Sequence, residues 1–304
     1  MRERARLLAG LRFEEVRAGG PAVEAAQRAF FAPAPGYAPP DVAVADRSAP
    51  GPHGDVAVRV YRRPGDDGPG RGLVWVHGGG FRAGDLDMPE ADAVARELCV
   101  RAGATVVSVG YRLVGDGVHF PVPHDDVFAA WQWAAGALGL DRRRLALGGA
   151  SAGGNLATGV ALRLRDAGRP AAALLLAYPV LHRRLPAPLS PPPADLDRLP
   201  PALRFRAGDY AQMLADYLGD TPATPYAVPA EGRADGLPPA LVVTSEYDDL
   251  RPSAEAFVAQ LRAAGVPVTH HGEAGALHGH LNVPGCVPFQ RSVAVLAEFL
   301  AAIG

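Results

Sequence analysis

Short β-rich apolar runs alternate with longer helical patterns from about residue 55 to the end of the chain. This alternation is typical of a mostly parallel sheet with helices on both faces. One helical pattern is clear, because apolar side chains at 254, 257, 258 and 261 recur with the spacing of a single helix face. We therefore predict an α/β fold. The strand-like runs are 56–61, 73–76, 105–109, 145–147, 172–177, 240–244 and 266–270.

Two stretches do not follow this alternation, namely residues 1–45 and residues 183–235. Five prolines near the start of the second stretch exclude a regular helix or a central strand there. An insertion of about 50 residues is longer than connections in compact domains usually are, which favours a lid over a functional face. A disordered insert is the alternative. We predict a catalytic core of residues 46–182 and 236–304, and a cap formed by the other two stretches.

Charge and composition exclude several classes of function. The net charge is -2 at pH 7, so no strong positive field attracts nucleic acid. The chain has no lysine, which excludes Schiff-base, P-loop and Ser-Lys chemistry. No apolar run approaches the roughly 18 residues of a membrane span, and the apolar stretch near the N-terminus is too short for a signal peptide. We expect a cytoplasmic protein that binds no nucleic acid and does not span a membrane.

A Gly-x-Ser-x-Gly motif stands between a strand-like run and a helical pattern. Its members are Gly149, Ser151 and Gly153. Glycine tolerates the crowding of a sharp strand-to-helix turn, and such a turn presents the serine hydroxyl at its tip. A glycine-rich turn without chemistry is the alternative, because so short a motif also arises by chance. The strand-turn-helix context favours Ser151 as a nucleophile.

Three consecutive glycines, of which Gly80 is the last, follow His77 directly after another strand-like run. Such a run costs backbone entropy, but it lets main-chain N–H groups point at one spot. We predict an oxyanion hole formed by the N–H groups of Gly78, Gly79 and Ala152, the last of which follows the serine. A phosphate-binding loop is excluded, since no lysine follows and the GxGxxG spacing is absent.

A nucleophilic serine needs a general base, and His278 is the best placed of the nine histidines. It lies in a glycine-containing loop after the last strand-like run and before the final helical pattern. With His280 it resembles a metal-binding pair, but two ligands without a further cluster make a weak signal. We predict neither a metal nor a cofactor.

Three carboxylates compete for the role of the acid that orients this base. Glu246, Asp248 and Asp249 follow a strand-like run, at the end of the sheet where open α/β proteins place their active sites. Each of them also fits the acidic start of a helix. Spacing alone does not choose between the two aspartates.

From about residue 55 to its end the chain resembles the hormone-sensitive-lipase-like carboxylesterases, a branch of the α/β-hydrolase fold. The resemblance rests on His-Gly-Gly-Gly-Phe at 77–81, Tyr-Arg at 111–112, Ser-Ala-Gly-Gly-Asn at 151–155, Tyr-Pro at 178–179 and Asp-Asp-Leu-Arg at 248–251. It aligns Asp248 with the catalytic acid, and it implies a cap built from the N-terminus and the insertion. Phe30, Phe31 and Tyr37 are then candidates for the cap side of the pocket, with simple packing as the alternative.

Ester hydrolysis in two steps is the activity that this resemblance implies. Ser151 would attack the carbonyl of a small-molecule ester while His278 takes its proton and Asp248 holds the imidazole. The family analogy also implies acyl chains of short to medium length. An exposed last strand would allow two copies to pair as a homodimer, again by analogy of fold.

Three positions depart from the usual family pattern. Ala150 stands where the family has Asp or Glu, Asp249 where it has Pro, and His280 where it has an aromatic residue. These departures keep open a dedicated biosynthetic enzyme on the same scaffold: a lyase, dehydratase, cyclase or acyltransferase. A ligand-binding protein is a further alternative, although all three triad positions are filled.

Overall fold

The computed structural model describes residues 3–65 and 70–303. In this part of the chain eight strands form one sheet. They are β1 (Ala43–Ala49), β2 (Val56–Arg62), β3 (Gly72–Val76), β4 (Thr105–Gly110), β5 (Leu145–Ala150), β6 (Leu174–Ala177), β7 (Ala240–Tyr247) and β8 (Val268–Leu277). Their order across the sheet is β1-β2-β4-β3-β5-β6-β7-β8. The pairs β1·β2 and β2·β4 are antiparallel and all others are parallel, which confirms the predicted fold class.

Helices cover both faces of the sheet. The described residues form α1 (Phe13–Ala18), α2 (Pro21–Phe31), α3 (Pro89–Ala102), α4 (Val122–Ala137), α5 (Ala152–Asp166), α6 (Ala207–Leu218), α7 (Arg251–Ala263) and α8 (Val287–Ala301), of which α1 and α2 belong to the N-terminal stretch and α6 to the insertion. One apolar core joins the sheet to α4, α5 and α7, and a second joins its opposite face to α3 and α8. Because both faces are covered, β3 and β5 are buried along their whole length.

All seven predicted strands are present, and the predicted helix at 254–261 is α7. Strand β1 was not predicted, because this edge strand keeps most of its side chains in solvent and includes polar Asp46, Arg47 and Ser48. Since β1 begins at Ala43, the predicted boundary at residue 45 falls inside a strand of the sheet.

The N-terminal stretch and the insertion pack against each other. Ala5, Leu8 and Phe30 share an apolar cluster with Leu196 and Ala202 of the insertion. The sheet contributes side chains from the ends of β7 and β8 to the same cluster, so the two stretches meet near the carboxyl ends of the strands. As predicted, the proline-rich start of the insertion forms neither helix nor strand.

No helix in residues 3–65 and 70–303 has both the length and the apolar composition of a membrane span.

Candidate active site

Ser151 occupies a sharp turn between β5 and α5. Its backbone has φ 51° and ψ -118°, a left-handed conformation that a residue with a side chain adopts only under strain. The flanking glycines are required by space, because a Cβ at Gly149 would lie 2.5 Å from the carbonyl oxygen of Gly153. A Cβ at Gly153 would overlap the carbonyl oxygens of Val76 and His77. The turn therefore needs glycine on both sides of the serine.

Ser151, His278 and Asp248 form one continuous line of hydrogen bonds. The Ser151 Oγ lies 2.9 Å from Nε2 of His278, and Nδ1 of His278 lies 2.8 Å from Oδ2 of Asp248. The second carboxylate oxygen of Asp248 accepts the N–H of Leu250 at 2.8 Å. With Nδ1–H donating to the carboxylate, Nε2 is free to accept the serine proton. The structure thus brings Asp248, and not Asp249, to the imidazole.

The pKa of His278 reflects opposing influences. Burial of the ring lowers this pKa, but the charge and hydrogen bond of Asp248, with a contribution from Glu90, outweigh burial and raise it above the ordinary 6.5. The rings of Tyr178 and Phe205 stand edge-on to the imidazole, with centroid distances of 5.0 and 4.7 Å. These two contacts restrict the orientation of the ring.

The glycine run places its N–H groups differently from the prediction. The N–H of Gly78 donates to Oε2 of Glu90 at 2.6 Å and points into the protein, so its predicted part in an oxyanion hole is wrong. Gly79 and Gly80 have positive φ values of 102° and 60° and border the cavity above Ser151. Within the described residues their N–H groups, and that of Ala152, have no hydrogen-bond acceptor.

Glu90, near the start of α3, is a buried carboxylate that sequence reasoning missed. Besides the N–H of Gly78, it accepts the hydroxyl of Tyr178 at 2.6 Å and the amide of Asn282 at 3.2 Å. Burial raises the pKa of Glu90 although these donors stabilise its charge. The sequence shows only an acidic residue in the first turn of a helix, a common surface feature, and nothing indicates that its side chain points inward.

The buried side chain of His77 contacts the backbone of the glycine run. Its ring is buried, stacks on Tyr111 at a centroid distance of 4.5 Å, and has Nδ1 2.8 Å from the carbonyl oxygen of Gly78. Burial lowers the pKa of His77, so the ring is neutral near pH 7 and Nδ1 carries the proton that it donates. The contact holds the first peptide of the run in place.

The three departures from the family pattern have distinct surroundings. Ala150 is fully buried at the end of β5. His280 is also buried, with Nδ1 3.0 Å from the Ser245 hydroxyl and Nε2 2.7 Å from that of Ser292. Burial lowers the pKa of His280 to about 3, so it is neutral and bonded to two hydroxyls. Asp249 binds Arg204 of the insertion.

A cavity of about 520 Å³ opens above Ser151. Phe30 and Phe31 border it, as the sequence predicted, but Tyr37 does not. Tyr37 instead packs edge-on against Phe289, with a centroid distance of 5.8 Å. A second, more open concavity of about 500 Å³ contains none of the predicted site residues. The remaining apolar border of the first cavity consists of Val16, Ala83, Met88, Ala202, Leu203, Phe205, Met213 and Leu277.

No group of three or more His, Cys, Asp or Glu side chains in the described part of the chain could hold a metal ion.

Comparison with known protein families decides which family this site belongs to. The family described as alpha/beta hydrolase fold matches residues 73–282, which is more than half of the chain. The chain is an α/β-hydrolase. Ser151 and His278 both lie within the matched residues, so this α/β-hydrolase carries its hydrogen-bonded serine and histidine inside the family's own region.

Relatives of this α/β-hydrolase include several named esterases. Esterase LipI of Mycobacterium tuberculosis is 35% identical over 260 residues, which cover 82% of this chain and 78% of the relative. Carboxylesterase NlhH of the same species is 38% identical over 247 residues, or 77% and 74% of the two chains. An ethyl acetate hydrolase of Pseudomonas putida is 36% identical over 230 residues, or 69% and 67%.

Solved structures show the same likeness. A bacterial heroin esterase superposes with a TM-score of 0.82 at 28% identity, covering 100% of this chain and 97% of the other. An esterase from the archaeon Pyrobaculum calidifontis gives a TM-score of 0.76 at 32% identity and covers 86% of each chain. The α/β-hydrolase described here is therefore similar to esterases over nearly its whole length.

Proposed function

We propose that this α/β-hydrolase is a carboxylesterase that cleaves small esters through an acyl-enzyme intermediate. One observation carries the proposal: the Ser151 hydroxyl, the His278 imidazole and the Asp248 carboxylate are joined by hydrogen bonds of 2.9 and 2.8 Å beside the cavity. A serine without a base is a weak nucleophile, and a base without an orienting acid adopts the wrong tautomer. Here His278 is the base for Ser151, and Asp248 orients His278.

In the first step Ser151 Oγ bonds to the ester carbonyl carbon while its proton passes to Nε2 of His278. The negative charge moves to the carbonyl oxygen, where the N–H groups of Gly79, Gly80 and Ala152 are the proposed donors. Each such donor contributes about 3 kcal/mol to lowering the barrier. Asp248 stabilises the imidazolium that forms, without taking the proton itself.

The tetrahedral intermediate then expels the alcohol and leaves the acyl group on Ser151. His278 gives its proton to the departing oxygen as the carbon–oxygen bond breaks. A water molecule enters, loses a proton to the same Nε2, and attacks the acyl carbonyl. Collapse of the second intermediate releases the acid and restores the serine hydroxyl.

Acyl chains of short to medium length are the proposed substrates. A largely apolar cavity of about 520 Å³ suits a small ester rather than a long lipid chain. The named activity of the related ethyl acetate hydrolase also supports a short acyl group. We further propose that residues 1–45 and 183–235 act as the cap, since side chains from both stretches border this cavity.

Three further expectations from the sequence belong to this proposal. The enzyme is proposed to act in the cytoplasm on small molecules and not on nucleic acid. Homodimers are proposed to form through β8, which lies at one edge of the sheet and so has one side free of strand pairing.

The test is hydrolysis of p-nitrophenyl esters of graded acyl length by the purified protein, beside a Ser151→Ala control. We expect turnover that is highest for short chains and absent in the control. A folded wild-type protein that hydrolyses none of these esters would contradict the proposal, and would favour a dedicated biosynthetic enzyme or a binding protein.

A further inference from the structure

Asp249, directly after the proposed triad acid, makes a two-pronged ion pair with Arg204 of the insertion. The Arg204 Nε donates to Oδ2 of Asp249 at 2.8 Å, and its Nη2 donates to Oδ1 at 2.9 Å. Both side chains are only 15% exposed, so solvent screens this pair less than a surface pair. The planar fork of an arginine matches a carboxylate in this arrangement and fixes direction as well as distance.

The same carboxylate also holds the backbone of the cavity wall. Oδ2 of Asp249 accepts the N–H of Phe205 at 2.9 Å. Phe205 borders the cavity, and its ring meets the His278 imidazole edge-on at a centroid distance of 4.7 Å and an interplanar angle of 65°. One acidic side chain therefore connects the turn that carries Asp248 to an aromatic wall of the cavity.

Residues on both sides of this turn also bind the insertion. The Tyr247 hydroxyl donates to Asp195 at 2.9 Å, and the Arg251 guanidinium donates to the carbonyl oxygen of Pro191 at 2.8 Å. None of these four residues borders the cavity. The contacts of Tyr247 and Arg251 hold the insertion on the core. The hydrogen bond between Asp249 and Phe205 differs from them, because Phe205 borders the cavity that a substrate would occupy.

We propose that Asp249 and Arg204 are positioning residues that hold Phe205 in the cavity wall and thereby set which size of ester this enzyme prefers. The inference rests on the proposed esterase function. Neither side chain borders the cavity, and Phe205 is the cavity residue whose backbone N–H Asp249 accepts. It also gives a role to Asp249, which stands where the family resemblance leads one to expect proline.

The chain offers a matched control on the same guanidinium. Arg204 Nη1 donates to Asp197 at 2.8 Å, but the Asp197 side chain is 93% exposed. A pair with so exposed a partner contributes little. Asp197→Asn removes one ion pair of Arg204 and leaves Asp249 and Phe205 untouched.

The experiment measures kcat and KM of wild type, Arg204→Met, Asp249→Asn, Phe205→Leu and Asp197→Asn. Two ester series are used: p-nitrophenyl esters of graded acyl length, and acetates of graded alcohols. We expect Arg204→Met, Asp249→Asn and Phe205→Leu each to reduce the difference in kcat/KM between esters of different size, in at least one series. In that series, kcat/KM for the preferred ester should fall about tenfold, mainly because KM rises. The smallest ester should lose less than the preferred ester in each of these three variants, and Asp197→Asn should change by less than about twofold on every ester.

A double variant separates positioning from general stability. Because the two side chains act as one unit, Arg204→Met with Asp249→Asn should lose no more than the worse single variant. An unchanged size profile, an equal loss on all esters that follows the melting temperature, or additive losses in the double variant would each overturn the inference. A wild type inactive on every ester would overturn the proposed function and this inference with it, whereas an active wild type with unaffected variants overturns the inference alone.

Discussion

The N–H of Gly78 donates to the buried carboxylate of Glu90 at 2.6 Å. The first glycine of the run is thereby turned into the protein, while the next two border the cavity. Glu90 also accepts the hydroxyl of Tyr178, whose ring lies against His278. One carboxylate thus supports both the proposed oxyanion donors and the proposed base.

Replacing Glu90 with glutamine should slow the reaction without unfolding the protein. The N–H of Gly78 and the hydroxyl of Tyr178 each donate to a different oxygen of Glu90. A glutamine side chain has only one acceptor oxygen, so we expect the peptide of Gly78 to shift. We expect kcat to fall about tenfold to a hundredfold. The loss of a negative charge that raises the pKa of His278 should also move the acid limb of the kcat/KM profile to lower pH.

The matched control for this variant is Glu97→Gln, on the same helix. Glu97 is buried as well, but it pairs with Arg101 at 2.8 Å and does not border the cavity. Equal losses in the two variants, or an unmoved acid limb in Glu90→Gln, would contradict the role given to Glu90.

The pH dependence of the wild type should show one acid limb set by His278. The base must be neutral to accept the serine proton, and its pKa is raised above 6.5. Activity is therefore lost as pH falls through a midpoint above 6.5, measured as kcat/KM, which reports the free enzyme. His124 and His280 have pKa values lowered by burial to about 4 and about 3, so they are already neutral across this limb. A midpoint below 6.5 would contradict a raised pKa of His278.

Gly79→Ala should remove activity by displacing the oxyanion donors. A Cβ there would overlap the carbonyl oxygen of Ala83, and φ is 102°. We expect kcat to fall about a hundredfold or more, the effect of losing one oxyanion donor. Gly168→Ala is the control, because Gly168 also has a positive φ of 67° but no atom within 4 Å of a Cβ. Comparable activity in both variants would argue against the donors assigned to this run.

His280→Phe introduces the aromatic residue that the family resemblance leads one to expect, yet it should destabilise this protein. The change leaves the buried hydroxyls of Ser245 and Ser292 without the imidazole that now bonds both. An unsatisfied buried hydroxyl costs about 1 to 3 kcal/mol, which urea denaturation measures. Adding Ser245→Ala and Ser292→Ala should recover much of the loss. A triple variant no more stable than the single one would show that ring packing, and not hydrogen bonding, sets the cost.

Much of the fold followed from the sequence because its signals are local. Buried parallel strands are short apolar runs, and the turn around Ser151 needs glycines at fixed positions. The edge strand β1 escaped prediction because its exposed side chains carry no apolar run.

The finer features of the site depend on packing that no local pattern encodes. Three successive glycines do not reveal which N–H faces the cavity, since that depends on the φ of 102° at Gly79 and on Glu90 beneath the run. The choice between Asp248 and Asp249 likewise depends on the approach of the loop that carries His278. Arg204 pairs with Asp249, but it lies in the insertion. The sequence of the insertion shows no regular helix or strand pattern, so the position of Arg204 could not be predicted.

Covalent modification of Ser151 by an active-site reagent shows whether this serine is the activated nucleophile. The protein is treated with diethyl p-nitrophenyl phosphate, which phosphorylates activated serines, and is then examined by intact-mass and peptide mass spectrometry. We expect one diethylphosphoryl group on Ser151, formed far more slowly in His278→Ala and absent in Ser151→Ala. A folded wild-type protein that stays unmodified, or a single adduct on another residue, would contradict this role of Ser151.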